Sequence, residues 1–213
     1  NCSADVVSST VPCSHKWMTG TVNSFFIGLT ATFIATTLGT IAALGLSRPH
    51  MPYKGLIMAI LISPMIVPLI ITAAGMFFFY ARINLVYTFT GVILAHVALA
   101  TPFVVITVTA TLVGFDMNMV KASQSLGARP VRTFFKVIMP LILPGIISGA
   151  LFAFITSFDE VVIVMFMASL DQLTIPKQMW AGIRQEISPV ILCMATCLVA
   201  LSIFLLTTVE LLR

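Results

Sequence analysis

The chain has 213 residues, of which 59% are hydrophobic and 8% are charged, and its formal net charge is +4. Ordinary soluble domains carry roughly a quarter charged residues. A soluble fold of this length cannot bury so much apolar surface, so the composition excludes one. The small positive charge does not require a nucleic-acid partner, and we expect none.

We predict an all-α fold, a polytopic bundle of transmembrane helices. A spanning helix needs about 20 mostly apolar residues, because the hydrocarbon core is about 30 Å thick. The stretches that qualify, numbered as spans one to five, are Asn23–Leu46, Leu56–Tyr80, Gly91–Val113, Gly145–Ser169 and Val190–Leu212. Residues 1–22 form a polar extracytoplasmic segment, and residues 23–213 form the transmembrane domain. Because the chain opens with Asn1 rather than Met, we expect residues upstream of it.

Basic residues are distributed unevenly between the two sides of this arrangement. Of the 11 Lys and Arg residues, the larger group shares a side with the C-terminus: Arg48, Lys54, Lys121, Arg129, Arg132, Lys136 and Arg213. The smaller group, on the opposite side, is Lys16, Arg82, Lys177 and Arg184. By the positive-inside rule the larger group and the C-terminus are cytoplasmic.

The long cytoplasmic loop, residues 114–144, contains a predicted helix outside the membrane. Asp116 is a suitable N-cap, and Gly127 stands where a left-handed residue ends a helix. Pro130 at a first helical position then begins a second short helix that runs towards Pro140 and Pro144. The loop is therefore predicted to form two short helices joined by a glycine turn.

The outer loop, residues 170–188, contains a predicted amphipathic helix that opens at Pro176. Met179, Trp180 and Ile183 form its apolar side, while Lys177 and Arg184 face water. Trp180 serves either as an anchor at the membrane interface or as a solute contact. Ser188 and Pro189 then provide the N-cap and first turn of span five.

Span four places Thr156–Glu160 inside an otherwise apolar segment. A carboxylate near the centre of a bilayer costs a few kcal/mol, so such residues face the bundle interior or water. Consecutive helix residues point about 100° apart, so a continuous helix directs Asp159 and Glu160 to different sides, with Glu160 on the side of Ser157. Two interpretations remain open for each carboxylate: an attractive or proton-handling position on a solute pathway, or a buried group hydrogen-bonded to a neighbouring helix.

Prolines interrupt two spans. Pro64 and Pro68 in span two predict a kink or break, because each removes a backbone donor from the helix. In span three the hydroxyl of Thr101 is positioned to satisfy the carbonyl freed by Pro102. These three prolines are candidate hinges.

The sequence contains no phosphate-binding loop, no catalytic constellation and no spaced set of metal ligands. His96 is predicted to hydrogen-bond between helices. Cys193 and Cys197 are predicted to be packing residues. For Cys2 and Cys13 two states stay open, a disulfide, which requires an oxidising side, or free thiols. We expect no metal and no cofactor.

Two groups of motifs carry a resemblance to a known family. Lys121–Gly127, followed by Val137–Pro140, resembles the cytoplasmic signature of ATP-binding-cassette importer permeases: E-A-A, three residues, G, nine residues, I-x-L-P. Lys121 stands in place of the glutamate, and Ser123 in place of the second alanine. Further segments resemble the spermidine/putrescine-type branch: Thr32–Thr36, Gly39-Thr40, Ser157–Val162, Ile175-Pro176 and Met179–Arg184.

The resemblance implies a membrane-embedded permease subunit of a bacterial inner-membrane importer that carries a small organic cation, a polyamine. It implies six spans per subunit, so one N-terminal span is expected to be missing. The implied partners are two cytoplasmic ATP-binding subunits, a second permease that is either identical or different, an extracytoplasmic solute-binding protein and membrane lipid. ATP hydrolysis belongs to the ATP-binding subunits, so this chain is not expected to be an enzyme.

The resemblance also assigns roles to individual residues. Those of the coupling helix that receives the ATPase movement are Met119, Lys121, Ala122, Ser123, Gly127 and Arg129. Those of the translocation pathway are Ser157, Asp159, Glu160 and Trp180. From the residues alone, a secondary carrier driven by ions or protons would use the same carboxylates, and a membrane scaffold without transport is a third class.

Overall fold

The computed structural model describes residues 11–48, 51–169, 171–185 and 189–212. The described residues fold into helices, as the sequence predicts. Four of these helices are long and apolar enough to cross a membrane, and a sharply bent pair brings the number to five. The predicted all-α bundle is confirmed. Cys2, Ser188 and Arg213 lie outside the described residues, and so do the predicted disulfide of Cys2 with Cys13, the predicted N-cap of span five and the predicted side of the C-terminal residue.

The first helix, α1, spans Val11–Leu46 and begins before the predicted start of span one at Asn23. The apolar part that qualifies as a span begins at Lys16. Residues 11–22 therefore continue the same helix, whereas the sequence suggested a segment separate from span one.

Helix α4, Phe89–Val113, lies at the centre of the bundle, and most of its span is buried. It packs against α1 and against α7, Met139–Phe158. A Cβ added at Gly39 of α1 would lie only 2.7 Å from the Cβ of Val104. Small residues therefore allow these helices to cross at close range, and their packing forms the core.

Span two is broken. Helix α2 spans Lys54–Ile66 and helix α3 spans Leu69–Arg82, and the two axes bend by 103° at the break. Pro68 has no backbone N–H, so the break falls where the sequence predicts it. The Ser63 hydroxyl donates to the Ile60 carbonyl at 2.8 Å, which satisfies the acceptor that Pro64 leaves free.

Span three continues unbroken through Pro102. The Thr101 hydroxyl donates to the carbonyl of Val97 at 2.6 Å. The carbonyl that Pro102 frees is that of Ala98, one residue later, so the predicted partner of the hydroxyl was wrong. A side-chain hydroxyl bonds most readily to the carbonyl four residues before it, and for Thr101 that is Val97.

The loop between α4 and α7 contains helix α5, Met117–Ser125, followed by α6, Pro130–Thr133. Helix α6 is not the separate short helix that the sequence suggested, because it runs through a π-helical turn, Phe134–Ile138, directly into α7. The turn lies just before Pro140, whose missing N–H leaves the Lys136 carbonyl without its helical donor.

The sequence prediction was wrong about the continuity of span four. Helix α7 ends at Phe158, and a short helix α8, Val162–Met167, follows after a break. Helix α8 packs against α1, α3 and α4, and its contacts include Ala73 of α3. The end of α7 adjoins the outer amphipathic helix α9, Ile175–Gln185, and helix α10, Pro189–Leu212. One side of α10, with Met194, Leu198, Leu201 and Leu205, packs against the rest of the chain, and few of its residues are fully buried, so its other side is available to lipid or to another chain.

Candidate translocation and coupling sites

Asp159 and Glu160 lie at the break between α7 and α8. The sequence reasoning placed both in a continuous helix, about 100° apart, and that geometry was wrong. Asp159 is the C-terminal cap of α7, and its backbone N–H donates to the Ile155 carbonyl at 3.0 Å. Its side chain is exposed, whereas Glu160 is 8% exposed. The break, rather than helical periodicity, separates the two carboxylates.

The Glu160 carboxylate caps the start of α8. Its Oε1 accepts a hydrogen bond from the backbone N–H of Ile163 at 3.0 Å. The first N–H groups of a helix have no partner within the helix, and a negative charge is favourable there. Glu160 therefore has a hydrogen-bonded carboxylate and directly follows the exposed Asp159 in the chain.

Ser157 and His96 form a buried pair between α7 and α4. The Ser157 hydroxyl lies 2.8 Å from Nδ1 of His96, and both residues are almost fully buried. The predicted role of His96 as a hydrogen bonder between helices is confirmed. The pair fixes α7 to α4 just before the helix breaks.

Lys177 on α9 does not face water, as the sequence predicted. Its ammonium donates to the carbonyl of Val164 at 3.2 Å and to that of Ala168 at 2.8 Å. Burial lowers the pKa of the Lys177 ammonium from its ordinary value. The Ala168 carbonyl, at the C-terminal cap of α8, lies beyond the last helical hydrogen bond, while the Val164 carbonyl also accepts from the backbone N–H of Ala168 at 3.1 Å. The ammonium therefore adds to the hydrogen bonds at the end of the helix.

Trp180 lies on α9 with 43% of its surface exposed, and the Arg184 guanidinium stacks 5.4 Å from its ring centroid. Met179 packs on the apolar cluster at the end of α7, so the predicted amphipathic helix is present. The structure therefore places Trp180 on a different element from Ser157, Asp159 and Glu160.

The sequence reasoning missed two polar residues on α1. The side-chain amide of Asn23 donates to the carbonyls of Asp171 at 2.8 Å and Leu173 at 3.0 Å. The Ser24 hydroxyl accepts from the backbone N–H of Ile175 at 2.9 Å. Both side chains are buried. The only local signal was a polar Asn-Ser pair at the edge of an apolar run, which does not reveal a partner about 150 residues away.

The candidate coupling helix α5 has the predicted ends. The Asp116 side chain accepts from the backbone N–H of Asn118 at 2.9 Å, which confirms it as the N-cap. Gly127 has a φ of 80°, the left-handed conformation predicted for it. Both ends of α5 are therefore fixed by interactions between residues that are close together in the chain.

Helix α5 and the turn after it present a surface to the surroundings. Met119 is 47% exposed and Leu126 is 87% exposed, and Lys121, Ala122, Gly127 and Arg129 are exposed as well. Apolar side chains on a water-facing element favour contact with another protein.

Ser123 of α5 differs from the other candidate coupling residues. Its hydroxyl lies 2.9 Å from that of Thr133, which is almost fully buried on α6. An alanine at position 123 could not make this bond. The substitution of serine for the family's second alanine is thus matched by a threonine on the next helix.

Within the described residues, no group of three or more His, Cys, Asp or Glu side chains is placed to hold a metal ion. Cys193 and Cys197 are exposed free thiols on α10, whereas the sequence suggested packed side chains. Exposure follows from the sparse packing of α10 against the rest of the chain.

Comparisons with known proteins agree with this architecture. Residues 18–213 match the family model described as "Binding-protein-dependent transport system inner membrane component". The spermidine/putrescine transport system permease protein PotC of Haemophilus influenzae is 30% identical over 190 residues, which cover 89% of this chain and 74% of that protein. The putrescine transport system permease protein PotI of Escherichia coli is 30% identical over 181 residues, 81% of this chain and 64% of that protein.

Solved structures share the fold at lower sequence identity. A chain of the inward-facing MetNI methionine ABC transporter superposes with a TM-score of 0.74 at 18% identity, covering 96% of this chain and 100% of that chain. A chain of an amino acid ABC transporter gives a TM-score of 0.68 at 17% identity, with 94% of each chain covered. Similarity at this level of identity supports the fold and assigns no solute.

Proposed function

The chain belongs to the family of binding-protein-dependent transport system inner membrane components, and from this premise we propose that it is the permease subunit of an ATP-driven importer whose solute is a polyamine. The relatives named for spermidine and putrescine transport support this solute class. The solved structures support the permease fold.

The observation that carries the solute assignment is the exposed carboxylate of Asp159 at the end of α7. A helix break in a membrane bundle frees backbone groups and permits a polar cavity at mid-membrane depth. A carboxylate on such a break attracts a cation, and a polyamine carries its positive charges on an extended, flexible chain. Asp159 is therefore our candidate for the direct cation contact.

The other candidate pathway residues contribute differently. The charge of Glu160 adds to the negative potential beside Asp159 while its Oε1 caps α8. Ser157, held by His96, fixes the direction of the last turn of α7. Trp180, on the outer helix, lies at the entrance, where its ring and Arg184 form part of the outer surface.

Coupling to ATP hydrolysis is assigned to α5 and the turn that follows it. Its exposed residues, Met119, Lys121, Ala122, Gly127 and Arg129, form the contact surface for an ATP-binding subunit. Ser123 fastens this surface to α6, which continues into α7 as one helix. A movement of α5 is thus passed to the break at Asp159 through rigid elements.

The assembly we propose contains two ATP-binding subunits on the cytoplasmic side, a second permease, and a solute-binding protein on the opposite side. The C-terminus is cytoplasmic, in agreement with the larger group of basic residues. Pro64 and Pro68, at the bend of 103°, and Pro102 act as hinges when the bundle rearranges.

The test is uptake of radiolabelled spermidine and putrescine by the complex reconstituted in liposomes with its ATP-binding subunits and binding protein. We expect ATP-dependent uptake, and we expect Asp159→Asn to lower its rate by about tenfold or more, because the attraction of one charge for another is lost. Asp171→Asn, at an exposed carboxylate in the outer loop, is the matched control and should leave the rate unchanged.

Each alternative has a distinct result. Uptake that continues without ATP-binding subunits and follows a proton or sodium gradient would indicate a secondary carrier. ATP-dependent uptake of an anion or a peptide, with neither polyamine carried, would refute the solute class. Equal rates for wild type and Asp159→Asn would remove Asp159 from the pathway.

A further inference from the structure

The short helix α8 is capped at both ends by charged side chains of opposite sign. At its start, the Glu160 carboxylate accepts from the N–H of Ile163. At its end, the Lys177 ammonium donates to the carbonyls of Val164 and Ala168. Each charge has the sign that the helix dipole favours at its end. A helix of only six residues has little stability of its own, so these caps act together with the packing of Ile163, Val164 and Met167 to hold it in place.

The cap at the end of α8 comes from a different element than the cap at its start. Glu160 precedes α8 in the chain, whereas Lys177 lies on the outer helix α9. The segment between α8 and α9 is held to α1 through Asn23 and Ser24. Lys177 therefore joins the outer surface of the protein directly to the helix that begins at the Asp159–Val161 break.

We propose that Lys177 is a positioning residue for transport: its ammonium holds α8 against α9 and thereby keeps the carboxylate segment at the start of α8 in register with the outer helix. The proposal rests on the proposed function of Asp159 as a pathway residue. Because Lys177 contacts backbone carbonyls, its role depends on its length and its donors, and an arginine meets both needs. A methionine keeps the length and loses the donors.

The first measurement does not depend on the solute. Hydrogen exchange of the backbone amides in residues 162–168 is compared between wild type and Lys177→Met in the purified complex. We expect exchange to be about tenfold faster in the variant, because loss of the two Lys177 hydrogen bonds and of the positive charge at the end of α8 raises the population of open α8. Lys177→Arg should restore slow exchange, and Lys16→Met, at an exposed lysine of α1, should not change it.

The second measurement separates positioning from simple loss of folded protein. ATP hydrolysis and spermidine uptake are measured on the same proteoliposomes, and their ratio is compared. A variant that is merely less folded lowers both activities equally, so the ratio stays constant. We expect Lys177→Met to raise the ATP consumed per spermidine carried by about threefold or more, and Lys177→Arg to return it towards wild type.

The outcomes distinguish this inference from the proposed function. Unchanged exchange in residues 162–168 overturns the positioning role whatever the solute is. If amide exchange is faster but the ATP consumed per spermidine carried is unchanged, the positioning role is also overturned. Lys177 would then hold α8 without any consequence for transport. If wild type carries neither spermidine nor putrescine, the proposed solute fails, and the exchange experiment still decides whether Lys177 holds α8.

Discussion

The segments α5–α6 and α8–α9 both contain short helices next to a transmembrane core, yet the ends of α5 and of α8 are held by different means. Helix α5 is fixed by residues within a few positions of its ends, Asp116 and Gly127. Helix α8 depends at its far end on Lys177, a residue of the following helix. Local fixation suits an element that moves as a unit, whereas fixation between elements makes the position of one depend on the other.

The largest effect is expected from removing the buried cap of α8. Glu160→Ala leaves the N–H of Ile163 without a partner in a buried site, at a cost of about 1 to 3 kcal/mol. Asp116→Ala removes an exposed cap and costs about 1 kcal/mol or less. Thermal unfolding of the detergent-solubilised complex, followed by tryptophan fluorescence, should show the larger loss for Glu160→Ala.

Glu160→Gln is the control for this comparison, since a glutamine keeps an acceptor oxygen and loses the charge. We expect it to unfold close to wild type. Equal losses for the two alanine variants would mean that the buried cap and the exposed cap are energetically alike, contrary to the difference in burial.

An intermediate effect is expected at the glycine after α5. Gly127 has a positive φ and open space around its Cα, so Gly127→Ala costs about 1 kcal/mol through backbone conformation alone. Gly114, before α5, has a φ of −82° and should accept alanine at little cost. Hydrogen exchange of the α5 amides should be faster in Gly127→Ala and unchanged in Gly114→Ala.

The smallest effect is expected at the hydroxyl pair between α5 and α6. Ser123→Ala leaves the buried Thr133 hydroxyl without its partner, at a cost of about 1 kcal/mol or less. The double variant Ser123→Ala with Thr133→Val removes both groups and should recover much of that loss. A double variant that loses the sum of both single changes would show that the hydroxyls do not interact.

Much of the fold could be predicted because it follows from local rules. Helix α5, its N-cap Asp116, the left-handed Gly127 and the break near Pro68 all depend on residues that are neighbours in the chain. Hydropathy over about 20 residues was enough to place spans one, two, three and five approximately, but it set span four at Gly145–Ser169, whereas the apolar helix covers Pro130–Phe158. Where geometry follows from nearby residues, the sequence suffices.

The details of the candidate site could not be predicted in the same way. The N-cap of α8 is Val161, which is not a preferred N-cap residue, so nothing in the local pattern indicates that a new helix begins there with Glu160 as its side-chain acceptor. Lys177 has the spacing of a water-facing residue, and its two carbonyl partners follow from the packing of α9 on α8. Asn23 likewise meets its partners only after the first and last thirds of the chain have packed together.

The contact between α3 and α8 has a consequence for both interrupted spans. Ala73 of α3 is buried in the same cluster as Ile163, Val164 and Met167 of α8. Helix α3 is the second half of a span that is broken in its middle, and α8 follows the break at the end of α7. Because the two helices share one packed cluster, we expect a tilt of α3 to displace α8, which links the two breaks mechanically.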